Sequence, residues 1–129
     1  MDMNKCFKRS ESREDYLETI KILFDRNGFV RSIDIAEEMN FSKPSVSIAM
    51  KKLKDEDYIN IDDKGHIVLT DKGQKIAEET YERHQILFAV FKKLGVNDET
   101  ALEDACRVEH DLSEETFSLI KEHYLKNNK

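Results

Sequence analysis

Six side chains of this sequence have the chemistry of metal ligands. They come as a pair, a single histidine and a triplet: Asp15 and Glu18, then His84, then Cys106, Glu109 and His110. The pair is spaced i, i+3 and the triplet i, i+3, i+4, so on a helix each set lies on one face. Together they offer one thiolate, two imidazoles and three carboxylates. This donor set suits one or two divalent cations of the manganese, iron, cobalt, nickel or zinc group.

Four of these residues also have an ordinary structural explanation. The alternatives are a helix cap for Asp15, a surface ion pair with Lys21 for Glu18, an exposed histidine at position 84 and a small core residue at Cys106. The residue types and spacings by themselves leave both explanations open.

A second set of residues has the pattern of a DNA-reading helix. Residues 41–54 contain four lysines and no acidic residue, although the chain has a net charge of −6. Two short helices joined by a turn and followed by a β-hairpin form a winged helix-turn-helix, whose second helix enters the major groove. Small polar side chains approach base edges there, and lysines contact phosphates. The predicted DNA contacts are Ser42, Lys43, Pro44, Ser45, Ser47, Ile48, Lys51, Lys52 and, at the hairpin tip, Lys64.

Caps and apolar periodicity predict the elements that position these residues. We expect helices from Ser12 to Asn27, Ser32 to Met39, Ser42 to about Asp57, Thr70 to about Leu94, Asn97 to about His110 and Ser113 to about Lys126. Two short strands, at 58–61 and 66–69, should form the hairpin. The first helix is expected to bury the stripe Tyr16, Ile20, Leu23 and Phe24. The fold class that follows is mainly α.

Composition limits the classes of protein to which the chain can belong. The chain has 129 residues, of which 39% are hydrophobic and 37% charged, a balance typical of a globular protein. We expect no membrane span and no secretory signal, because no apolar run has the required length. Two cysteines, Cys6 and Cys106, are too few for a disulfide framework and favour a reducing cytoplasm.

The order of several motifs resembles the diphtheria-toxin-repressor family, particularly its shorter manganese-repressor branch. The stretches that carry the resemblance are Glu14–Ile20, Ile33–Glu37, Ser45–Ser47, Leu69–Gly73, Arg83-His84 and Asp104–Ser113. The resemblance covers about residues 12–126. It implies a winged helix-turn-helix DNA-binding domain at 1–72, followed by an all-helical dimerisation and metal-binding domain at 73–129. No SH3-like third domain is expected.

The resemblance also implies roles for single residues. Asp15 and Glu18 match the first-helix ligand pair of the manganese branch, whereas Cys106 resembles the iron branch. His84, Glu109 and His110 match ligand positions shared widely in the family. An ancillary site of the iron branch is not expected, because its acid and second histidine are replaced by Phe88 and Leu102.

The function implied is that of a cytoplasmic, homodimeric repressor of metal-ion homeostasis genes. It would bind double-stranded operator DNA when Mn²⁺ or Fe²⁺ is bound, with Co²⁺, Ni²⁺ or Zn²⁺ able to substitute, and it would need neither a membrane nor a small-molecule substrate. One alternative is a winged-helix regulator that does not depend on metal and senses a small ligand or an oxidant. A metalloenzyme is a further alternative, but the sequence has no substrate-pocket motif and an enzyme would not need the wing.

Overall fold

The computed structural model describes residues 12–127, in which six helices and two strands follow one another. They are α1 (Arg13–Asn27), α2 (Ser32–Met39), α3 (Lys43–Asp55), β1 (Ile59–Ile61), β2 (Ile67–Leu69), α4 (Asp71–Lys93), α5 (Asp98–Glu109) and α6 (Glu114–Lys126). The chain divides into a unit at Ser10–Thr80 and a second unit that contains Tyr81–Lys129, with the boundary inside α4. None of the described helices combines the length and the apolar composition that a membrane crossing requires.

In the first unit, the helices begin and end where the sequence supplies caps. The Ser12 hydroxyl accepts a hydrogen bond from the backbone N–H of Asp15 at 3.1 Å, and α1 ends at Gly28, whose φ of 82° is left-handed. Ser42 caps α3, and Pro44 occupies its first turn, where its missing N–H is not needed. These caps fix the lengths of the helices that carry Asp15, Glu18 and the predicted DNA contacts.

The core of the first unit lies between α1, α2, α3 and the hairpin. Its largest fully buried side chains are Leu17, Ile20, Val30, Ile35, Val46, Met50, Ile59 and Ile67. Phe24 was predicted to be buried with this core, but that prediction is wrong, because its side chain is 48% exposed. The stripe of α1 that reaches the core ends with Leu23.

The hairpin is a short antiparallel pair in which Asn60 lies opposite Val68. It is held against the start of α4 by a close approach of backbones. A Cβ placed on Gly73 would collide with the backbone carbonyl oxygen of Tyr58, so only glycine fits there. The wing is therefore fixed at its base by both α3 and α4.

The second unit is helical, as predicted. Its core is built on Leu87, Ala105 and Phe117, one from each of α4, α5 and α6. The partly buried residues Ile86, Phe88, Phe91, Val108, Leu112 and Ile120 pack around them. This packing brings the end of α5, which carries the predicted ligand triplet, against the middle of α4, which carries His84.

Candidate metal centre and nucleic-acid interface

The surface of α3 that its core residues leave uncovered carries the predicted DNA contacts. Val46, Met50 and Leu53 are buried, and Ile48 is 71% exposed on the opposite side. A large aliphatic side chain in this position suits contact with a thymine methyl group. Among the other predicted contacts, Ser45 is half-buried and the remainder are exposed: Ser42, Lys43, Pro44, Ser47, Lys51, Lys52 and Lys64.

Two of the predicted DNA-contacting residues, Ser42 and Ser45, are hydrogen-bonded to each other. Ser42 Oγ accepts from the backbone N–H of Ser45 at 3.3 Å, and its hydroxyl donates to Ser45 Oγ at 2.8 Å. Ser42 is thus engaged as the helix cap. Since Ser45 Oγ accepts from Ser42, its own hydroxyl hydrogen can be donated outward, and the major groove offers acceptors at guanine N7 and O6 and at thymine O4.

The tip of the wing is organised by Asp62. Its Oδ1 atom accepts from the backbone N–H groups of Lys64 at 2.8 Å and His66 at 2.9 Å. The bond from His66 is the main reason that the pKa of Asp62 lies below its ordinary value of 3.8. The His66 ring also contacts the exposed ring of Phe29, with centroids 5.6 Å apart. Lys64 therefore lies, exposed, in a hydrogen-bonded turn at the tip of the wing.

In the second unit, α4 and α5 bring three of the predicted ligands together. His84 Nε2 lies 3.6 Å from Glu109 Oε2, and His110 Nδ1 lies 3.2 Å from the same oxygen. His84 is 1% exposed and Glu109 is 5% exposed. The histidine at position 84 is therefore a buried residue facing a carboxylate, not the exposed histidine that its polar neighbours suggested.

Two of the separations between these atoms are close to those of ligands on a divalent metal. Ligand atoms about 2.1 Å from a metal lie about 3.0 to 3.4 Å from one another in octahedral or tetrahedral geometry. The two distances to Glu109 Oε2 approach this range. Among the described residues no hydrogen bond reaches this buried oxygen, and a buried carboxylate oxygen needs a donor or a cation. Two imidazoles and a carboxylate suit manganese, iron and zinc alike.

Cys106 lies one helical turn before Glu109 and is 3% exposed. The structure records its sulfur in a disulfide bond. A sulfur atom in a disulfide has no thiolate charge to give to a metal. Cys106 can therefore complete the ligand set only in its reduced form.

In the first unit, α1 buries both carboxylates of the predicted ligand pair. Asp15 is 2% exposed and Glu18 is fully buried. Lys21, the surface partner considered for Glu18, forms an ion pair with Asp25 at 2.8 Å. The cap considered for Asp15 is present in part, because its backbone N–H donates to the Ser12 hydroxyl at 3.1 Å. Two buried carboxylates one turn apart are costly unless cations or donors compensate them.

Both halves of the chain match models of one family. Residues 8–67 match "Iron dependent repressor, N-terminal DNA binding domain", and residues 70–127 match "Iron dependent repressor, metal binding and dimerisation domain". The transcriptional regulator MntR of Geobacillus thermodenitrificans (strain NG80-2) is 37% identical over 102 residues, which make up 79% of this chain and 72% of MntR. The chain belongs to the iron-dependent repressor family. This is the diphtheria-toxin-repressor family to which the motifs pointed, so that prediction is confirmed.

Solved structures of similar regulators agree with this assignment to the iron-dependent repressors. The manganese regulator SloR is 30% identical, with a TM-score of 0.77, and the match covers 89% of this chain and 54% of SloR. IdeR of T. acidophilum is 26% identical, with the same TM-score, and the match covers 90% of this chain and 55% of IdeR. The chain thus spans about half the length of these two proteins.

Membership of the iron-dependent repressor family confirms the broad function predicted from the sequence. The chain is a metal-dependent transcriptional repressor, not an enzyme, with an N-terminal DNA-binding domain and a C-terminal metal-binding and dimerisation domain. The family depends on a divalent metal, and manganese and iron are the metals named for its similar members and domains. The metal-independent regulator considered above is not favoured.

One residue near the centre was missed by the sequence analysis. Arg83 Nη1 donates to the carbonyl oxygens of Glu109 at 3.3 Å and Leu112 at 3.1 Å. Arg83 entered the sequence analysis only as part of the Arg83-His84 motif and as a polar neighbour of His84, without a role of its own. Because its partners lie on α5 and on the turn after it, no local pattern points to this contact.

Proposed function

We propose that this chain is a homodimeric repressor that binds double-stranded operator DNA when Mn²⁺ or Fe²⁺ occupies a site built on His84, Glu109 and His110. The observation that carries the proposal is the buried Glu109 Oε2 with two imidazole nitrogens at 3.2 and 3.6 Å. A second copy, and not this chain alone, would supply the other half of a palindromic recognition surface. The genes controlled would be those of metal-ion homeostasis.

The proposed ligand set extends beyond these three residues. We add reduced Cys106, which is buried one turn before Glu109, and Asp15 and Glu18, which the family resemblance assigns. The burial of both α1 carboxylates supports their inclusion. When bound, the metal supplies positive charge that makes the approach of these anionic side chains favourable. The residues supply oxygen, nitrogen and thiolate donors, a mixture that suits iron and cobalt as well as manganese.

Of the two proposed domains, residues 1–72 would bind DNA, and residues 73–129 would bind the metal and form the dimer. Lys43, Lys51 and Lys52 would contact phosphates on either side of the groove, and Lys64 would contact the backbone from the wing. Ser45, Ser47 and Ile48 would read base edges. Two copies would place their α3 helices about 34 Å apart, which is one turn of DNA. We place the protein in the cytoplasm, which is consistent with its similarity to transcriptional regulators.

A groove in the second unit is the surface we propose for the homodimer. It has a volume of about 520 Å³ and is lined by residues of α4, of the turn that follows α4 and of α6, which include Val90, Leu94, Leu119, Ile120 and Tyr124. Leu94 is 76% exposed and Leu119 is 60% exposed. The groove lies inside residues 70–127, the stretch that matches a dimerisation domain. Burial of these leucines against a second copy would remove apolar surface from water.

Fluorescence anisotropy with a labelled duplex tests the proposed function. The duplex would be selected from a random-sequence pool by the Mn²⁺-loaded, reduced protein. Affinity should rise at least tenfold when Mn²⁺ or Fe²⁺ replaces chelator, with Fe²⁺ measured anaerobically, and a scrambled duplex should show no such rise. Equal affinity for the selected duplex with metal and with chelator would refute the metal dependence proposed here.

A further inference from the structure

The guanidinium group of Arg83 joins all three helices of the second unit. From α4, it donates to the carbonyl oxygens of Glu109, the last residue of α5, and of Leu112 in the following turn. Its Cζ atom lies 5.0 Å from the centroid of the Phe117 ring on α6. Phe117 is one of the buried core residues of this unit. A single half-buried cation therefore ties the end of α5 and the first turn of α6 to α4.

Two consecutive residues of α4 contact the two ends of Glu109. Arg83 donates to its backbone carbonyl, and His84 Nε2 lies 3.6 Å from its carboxylate. Carbonyl groups at the end of a helix have no partner within the helix, so a cation there stabilises the helix end. Here that helix end is also the segment from which the Glu109 and His110 side chains project.

We propose that Arg83 is a positioning residue for the metal site, which sets the orientation of Glu109 and His110 through the backbone of α5. The inference rests on the proposed function, since it assumes that these two residues ligate a metal. Holding both carbonyls fixes where the last turn of α5 ends, and hence where the Glu109 carboxylate points relative to His84. Interactions outside the ligand set are known to tune metal affinity in this way.

The chemistry of this contact requires arginine. A planar guanidinium can bond two carbonyl oxygens and stack on an aromatic ring at the same time. A lysine ammonium keeps the charge and has donors for both carbonyls, but it lacks the planar group that lies over Phe117. Methionine keeps much of the aliphatic volume and makes neither contact. The series Arg83→Lys and Arg83→Met therefore removes the contacts in steps.

Titration with Co²⁺, followed by visible absorption in the presence of a reductant, tests the proposal. Cobalt is used because its spectrum reports the geometry of its ligands as well as the affinity. We expect Arg83→Met to lower Co²⁺ affinity about tenfold or more and to shift the spectrum, with Arg83→Lys intermediate. Thermal unfolding of the metal-free variants, measured in chelator, separates this effect from a general loss of stability.

The Lys121→Met variant is the matched control, because Lys121 joins α6 to Glu82 of α4 by an exposed ion pair at 2.9 Å. It breaks a link between the same helices without contacting Glu109 and should leave the Co²⁺ titration unchanged. If both Arg83 variants bind Co²⁺ with the affinity and spectrum of the unmodified protein, Arg83 does not position the ligands. If the unmodified protein itself binds no Co²⁺, the proposed metal site fails, and this inference fails with it.

Discussion

His84 Nε2 lies 3.6 Å from Glu109 Oε2, and both side chains are buried. The consecutive helices α4 and α5 thus place an imidazole and a carboxylate face to face inside the second unit. His110 adds a second imidazole nitrogen 3.2 Å from the same oxygen. This arrangement is the main structural reason to expect a metal-responsive repressor.

Replacing Glu109 by glutamine should remove metal binding without unfolding the protein. The Glu109→Gln variant keeps the shape of the side chain but loses the negative oxygen, so Mn²⁺ affinity should fall about 100-fold or more. The melting temperature in chelator should change little, because in the metal-free protein no described hydrogen bond to Oε2 is lost. Isothermal titration calorimetry with Mn²⁺ measures the first quantity and circular dichroism the second.

Glu103→Gln is the control, since Glu103 lies on the same helix in an exposed pair with Arg107 and should bind Mn²⁺ normally. A Glu109→Gln variant with unchanged Mn²⁺ affinity would exclude this carboxylate from the site.

Two substitutions on α3 should separate base reading from phosphate binding. Ser45→Ala removes the outward hydroxyl and should cost about 1 to 3 kcal/mol against the selected duplex, with little change against a scrambled one. Lys51→Ala should weaken binding to both duplexes similarly. It should also lower the number of counterions released on binding, read from the salt dependence, by about one. Anisotropy over a series of salt concentrations distinguishes the two patterns. Equal losses of Ser45→Ala on both duplexes would contradict a base-reading role.

The turn at the tip of the wing should open in acid. Because the pKa of Asp62 in the folded protein lies below 3.8, mainly through the backbone N–H of His66, ionised Asp62 stabilises the turn at and above that pH. The stabilisation should be lost as the pH falls through the lowered pKa, and the amide resonances of Lys64 and His66 should shift together there. In Asp62→Asn these amides should not shift in that range. Shifts that persist in Asp62→Asn would show that another group is responsible.

The groove between α4 and α6 should control the oligomeric state. Leu119→Glu places a charge among its apolar side chains, so we expect dissociation into monomers and loss of operator affinity. Leu125→Glu changes an exposed leucine of the same helix that does not line the groove, and it should remain dimeric. Sedimentation equilibrium gives the mass of each variant. If the Leu119→Glu variant remains dimeric, the dimer interface lies at another surface.

The helices could be predicted from the sequence because the residues that start and end them act locally. The predicted helices begin at Ser12, Ser42, Asn97 and Ser113, and these residues are the N-caps in the structure. Each cap acts within three residues of itself. The predicted end of α3 was two residues late. Asp57 has a φ of 67°, and the N–H of Tyr58 bonds to Leu53, so the chain leaves the helix at Asp55 to enter β1.

Burial and long-range contacts could not be predicted in the same way. The polar sequence around His84 is typical of a surface helix, yet the imidazole is buried because α5 covers this part of α4. Phe24 continues the apolar stripe of α1 but lies beyond the region that the core covers. The contact of Arg83 with Glu109 spans 26 residues, and no periodicity within one helix encodes it.

The most direct test of the central claim is the affinity for metal with and without operator DNA. If metal binding and DNA binding are coupled, thermodynamics requires that each tighten the other by the same factor. We predict that saturating the protein with its selected duplex raises Mn²⁺ affinity by the factor by which Mn²⁺ raises duplex affinity. A scrambled duplex should not raise Mn²⁺ affinity. Equal Mn²⁺ affinity with and without the selected duplex would contradict the account.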